Sequence, residues 1–181
     1  MKKVVLLTVI LLCCASLVFA QLPGSVAPFA DPAGTSCQMT DIGGIAYVYI
    51  FHLWTNGATA SEFKVVLPAC MIHLADTSPF ALKSGLFKDG TSIPYQSCLL
   101  GPINLGSMLF SMVAMCSPCT YISVIENPFS LPPPNPGEVY VVDCAIPNSL
   151  MVATGGEMII NPGPSCECDV PADDTTWGQV K

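Results

Sequence analysis

Cysteine dominates the chemistry open to this chain. Ten cysteines occur in 181 residues. Cys13 and Cys14 sit in an apolar N-terminal stretch; the other eight are Cys37, Cys70, Cys98, Cys116, Cys119, Cys144, Cys166 and Cys168. Cys116-Ser117-Pro118-Cys119 has the spacing of a thioredoxin-like redox pair, which needs a helix N-terminus after it to lower a thiol pKa. Residues 120–125 read as a strand, and no βαβ pattern surrounds them. Cys116, Cys119, Cys166 and Cys168 are spaced so that four thiolates could hold zinc. An even set of eight behind an export signal is more economically a disulfide framework, with 105 connectivities open. Cys166 and Cys168 are too close to pair comfortably, so each is expected to reach elsewhere and pin the C-terminal tail.

No other constellation carries a reaction. Ser61-Glu62-Phe63-Lys64 matches the S-x-x-K of penicillin-recognising enzymes, where serine and lysine lie one helical turn apart. Here the segment alternates as a strand, which puts Ser61 and Lys64 on opposite faces. His52 and His73 fall in separate strand candidates and read as isolated histidines, each with a hydrogen-bond partner. The carboxylates are scattered, so no glycosidase pair can be nominated. Asp169, Asp173 and Asp174 lack a calcium-loop pattern and read as a solvated tail, with Trp177 as an anchor. No catalytic, cofactor-binding or metal-ligating residue is therefore nominated, and no cofactor is expected.

The ends of the chain indicate where it works. Met1-Lys2-Lys3 is a basic start, residues 4–18 are apolar, and Val18-Phe19-Ala20 offers small residues for signal peptidase. We read residues 1–20 as a cleaved signal peptide and 21–181 as one domain with a disulfide-tethered tail. No later run is long and apolar enough to be a transmembrane segment. The mature chain carries four lysines, no arginine and thirteen carboxylates, a formal charge of −9 against −7 for the full chain. Nucleic acid is a poor partner for such a surface. With 10% charged and 51% hydrophobic residues, some apolar surface is expected to stay exposed.

The elements that must position these residues read as all-β. Short apolar runs alternate with Gly, Pro and Asn. Residues 45–54 are apolar on both alternating faces, as expected of a central strand covered on both sides. Phe63, Val65 and Leu67 point one way and Glu62 and Lys64 the other. Residues 71–75, 93–100, 119–125, 138–144 and 157–160 are further strand candidates. Residues 105–116 fit both helical and strand periodicities; Gly106 and the β context favour strand. Residues 131–137 (LPPPNPG) read as a stiff loop within one domain. The expectation is a disulfide-stapled antiparallel β-sandwich of about eight strands, Ig-like or Greek-key.

Residues 56–68 (NGATASEFKVVLP), Ala153-Thr154-Gly155-Gly156 and the ending from Cys166 to Lys181 carry a resemblance. They look like small secreted cysteine-containing β-sandwich proteins of environmental bacteria that end in Thr-Trp-Gly-x-Val-Lys. The resemblance implies a bacterial exported β-sandwich and no reaction. The Phe63 to Pro68 rhythm also resembles strands of cohesin-type Ig-like modules. The functional expectation is a non-catalytic structural or interaction domain, secreted, periplasmic or at the cell surface, with an unidentified protein as partner. The alternative is a carrier holding an apolar ligand between its sheets, for which the methionines would suit an adaptable pocket.

Overall fold

The computed structural model describes residues 23–166. Their secondary structure is all strand, in the order β1 (Ser25–Phe29), β2 (Gln38–Met39), β3 (Gly44–Leu53), β4 (Ala58–Val66), β5 (Met71–Thr77), β6 (Thr91–Leu99), β7 (Ile103–Met112), β8 (Thr120–Ile125), β9 (Glu138–Asp143), β10 (Leu150–Gly155) and β11 (Glu157–Ile160). The all-β expectation holds. The expected antiparallel sandwich of about eight strands does not: eleven strands pair in one mixed sheet, ordered β2-β11-β8-β4-β9-β10-β1-β3-β7-β5, with β6 paired to β4. Two pairings, β1 with β10 and β2 with β11, are parallel.

The added strands are the ones least visible to periodicity. β1 contains Pro28, which cannot donate to a ladder, yet Pro28 sits opposite Ile50 in register. β2 is two residues long, and β10 is a short segment between turn-rich stretches. Their partners, rather than their own pattern, make them strands.

One core joins the two ends of this pairing order. Val48, Ile50 and Phe110 come from β3 and β7 near one end; Ile122 and Met158 from β8 and β11 near the other; Phe63, Ile93 and Tyr95 from β4 and β6. The sheet therefore curls round its own buried face. Phe87 closes it from within the β5–β6 connection: it is fully buried, stacks on Phe63 at 5.6 Å, and its carbonyl accepts from Val65 N at 2.7 Å. The ambiguous 105–116 segment is strand β7, locked between β3 and β5. Gly106 lies at a bulge in it, at φ +137°, where a Cβ would come within 2.0 Å of Thr77 O.

Three disulfides staple the ends of strands. Cys70–Cys116 ties the approach to β5 to the exit of β7, Cys98–Cys144 ties β6 to the end of β9, and Cys119–Cys166 ties the approach to β8 to the exit of β11. Cys37 is disulfide-bonded as well. Cys168 and the tail residues Asp169, Asp173, Asp174 and Trp177 lie outside the described residues, as does the signal segment.

Candidate interaction surface

The cysteines do not form the redox or zinc sites that their spacing allowed. Cys116 and Cys119 bond to different partners, Cys70 and Cys166, so the C-x-x-C is two structural bridges. Three of the four thiolates that zinc would need are consumed in the same way. Among the described residues no cluster of His, Cys, Asp and Glu is arranged to hold a metal.

The two histidines are kept apart by the register of β7. His52 faces Ile103 and His73 faces Phe110, a separation of roughly 23 Å along the strand at its usual rise. They cannot share a metal or a proton. His52 is fully buried, with Nε2 2.7 Å from Pro23 O and Nδ1 3.0 Å from Tyr95 Oη. A carbonyl only accepts, so Nε2 carries the proton and Nδ1 accepts from the phenol. Burial lowers the His52 pKa despite the Pro23 hydrogen bond, and the ring is neutral. Burial likewise raises the Tyr95 pKa, an effect that the neighbouring Ser61 hydroxyl opposes. That contact falls short of full hydrogen-bond geometry, leaving buried Ser61 Oγ without a partner. Tyr95 and His52 thus form a buried polar pair inside the core, with Ser61 Oγ beside them.

His73 belongs to an ionic knot. The Asp76 carboxylate accepts from His73 Nε2 at 2.7 Å, Lys83 Nζ at 3.3 Å and Phe87 N at 2.8 Å. Lys83 also lies 4.7 Å above the Phe87 ring and donates to Gly85 O. The knot holds the loop that delivers Phe87 to the core. A cleft of about 470 Å³ nearby is lined by Glu62, Asp89, Asn127 and Phe129. Its polar groups are engaged: Glu62 by Ser130, Asp89 by Lys88, and Asn127 by Thr91 O and Phe129 N.

The feature without an internal explanation is the outer face of β3. Val48, Ile50 and His52 point into the core, so Ile45, Tyr47, Tyr49, Phe51 and Leu53 point out. A loop covers one half of this row. Asp31 winds residues 31–36 by accepting from the backbone N–H groups of Ala33, Thr35 and Ser36. These bonds outweigh the effect of burial and lower its pKa. Gly34 is thereby laid against Phe51, whose ring would be 3.2 Å from a Cβ there. Phe29, Phe51 and Leu53 are buried as a small second cluster.

Among the described residues nothing covers the other half. The expectation that residues 45–54 are covered on both sides fails there: Ile45 is 66% exposed and Tyr47 is about half exposed. Registers extend the bare face across two more strands. Ile45, Ser111 and Ile72 form one row, and Tyr47, Leu109 and Ala75 the next. Leu74, at the β5 bulge, is about half exposed. At one end Ile42, Val113 and Met115 rim a cleft of about 370 Å³, with Ile42 at 85% and Met115 at 89% exposure. The rim's one acid, Asp41, is spent on the backbone N–H groups of Gly43 and Cys116. The sole charged residue in β1, β3, β5 and β7 is Asp76, tied into its knot.

Sequence reading anticipated exposed apolar surface but not its place. The signal was present: residues 45–53 are aliphatic or aromatic at every position apart from His52, more than one covered face can use.

No protein-family model matches the chain, and no curated protein matches it.

Proposed function

We propose that this is an exported, non-catalytic interaction domain that works outside the cytoplasm, with the outer face of β3, β7 and β5 as its contact surface. One observation carries the reading: an acidic protein presents an uncharged, apolar sheet face beside a disulfide staple, and covers the neighbouring half of the same face with its own loop. Contiguous exposed apolar surface on a rigid support marks a contact site. The three disulfides are compatible with an extracellular setting, and the resemblance to small secreted bacterial proteins accords with it. Among the described residues no helix is long and apolar enough to cross a membrane.

The test is an activity screen on the purified mature protein with peptide, ester and glycoside substrates. No turnover is expected; turnover abolished by one substitution would overturn the reading. The carrier alternative requires ligand space where Phe63, Phe87, Met108 and Phe110 are fully buried in one cluster. Native mass spectrometry of protein purified from its source is expected to give the bare polypeptide mass, and reproducible bound lipid would favour the carrier.

A further inference from the structure

We infer that the bare face joins two copies of this chain into a homodimer, an inference that rests on the interaction reading above. Three observations select this occupant. The first is extent. Ile45, Tyr47, Ile72, Leu74, Val113 and Met115 together expose on the order of 650–750 Å², within the ~600–1,000 Å² per partner of a standard interface.

The second is charge. Interfaces between separately folded partners are about as polar as the rest of a protein surface, whereas homodimer interfaces are more apolar and depleted of charge. The face has no charged side chain among Ile45, Tyr47, Leu109, Ser111, Ile72 and Ala75. The chain as a whole is at −7. Two acidic molecules repel wherever carboxylates meet, and this uncharged face lets two copies approach without bringing carboxylates together. A basic partner, which the net charge would attract, finds nothing here to pair with.

The third is geometry. β5 ends the strand order, but its ladder is broken by a bulge between His73 and Ala75, which twists an edge away from strand-to-strand pairing. Contact therefore runs face to face, as two sheets pack, about a two-fold axis that sets each copy's Tyr47 and Ile72 region against the other's.

The test is sedimentation equilibrium of the mature protein from about 1 to about 100 µM, with Ile45→Lys/Ile72→Lys alongside. Wild type is expected to reach twice the mature chain mass. The variant is expected to stay monomeric, with association weakened at least ~100-fold, because the two-fold axis buries each unpaired lysine twice. A variant that fails to fold leaves a measurement on wild type alone. Amide exchange in residues 44–48 and 71–75 should slow as concentration rises, and exchange independent of concentration overturns the homodimer.

A monomeric wild type, or a dimer that the variant leaves intact, also overturns it. If the monomer binds an apolar dye and the variant does not, the face serves a different partner and the interaction reading stands. If neither binds dye and the face amides are protected at every concentration, the chain covers its own face and both readings fall.

Discussion

Removing the Cys98–Cys144 bridge should cost more than any contact it displaces. The bridge ties β6, whose one strand partner is β4 across a bulge, to the end of β9, which also pairs with β4. The residues are 46 apart, and closing such a loop in the unfolded chain is worth about 4 kcal/mol in the chain-entropy model. The remaining bridges hardly shorten that path. Its best detour, through Cys119–Cys166, still runs 21 residues out from Cys98 and 22 back to Cys144. Nor does the native state resist the change by losing bulk, since Cys98 is exposed. For Cys98→Ala/Cys144→Ala, urea unfolding should therefore show a loss of about 4 kcal/mol and a steeper denaturant dependence, as the released chain exposes more surface. At 2–4 °C per kcal/mol for a chain of this size, the midpoint should fall by roughly 8–16 °C. A loss below about 1 kcal/mol with unchanged slope would refute the view that the staple acts through the unfolded chain.

Other consequences can be checked separately. His52 has a folded-state pKa below its unfolded value of 6.5, so the unfolded chain takes up the proton first. Its contribution is complete above pH ~6.5 and is lost as pH falls, by at most ~1.4 kcal/mol per pH unit; His52→Gln should flatten that slope between pH ~6.5 and ~5 in urea titrations. Asp31 and Asp143, whose pKa values are lowered, add a separate loss only below their unfolded values of 3.8. Gly106→Ala forces a Cβ to within 2.0 Å of Thr77 O at φ +137°, so calorimetry should register destabilisation of about 3 kcal/mol or more; a neutral result would mean the bulge can be rebuilt. Free-thiol titration of exported protein should find none, and peptide mapping should join Cys37 to Cys168, the one mature cysteine that the other pairs leave for it. Any other partner for Cys37 would break the count of four bridges.

Much of the strand content was legible locally. Phe63 and Val65 face inward and Glu62 and Lys64 do not, as alternation required. Composition could not reveal β1, because Pro28 argues against a strand until Ile50 is placed opposite it. Phe87 falls between the strands read from the sequence, and its full burial depends on the Asp76 knot that ties its loop down. The histidines could not be judged as a pair until the register of β7 separated them. The interaction face was hidden for a similar reason. An apolar run on both sides of a strand is compatible with two covers or one, and only the path of residues 31–36 shows where the second cover stops.

Local chemistry settled what is decided at short range: extended backbone from β-branched and aromatic runs, turns from glycine and proline, cysteines in even number for cross-linking, and a net-acidic composition. These follow from neighbours in the chain and needed no fold. Which cysteine meets which, which strands lie side by side, and which apolar face meets water depend on residues tens of positions apart. Such pairings win or lose by the entropy of closing long loops against the apolar area they bury. That balance is set by the whole molecule, and so the tertiary structure alone decided it.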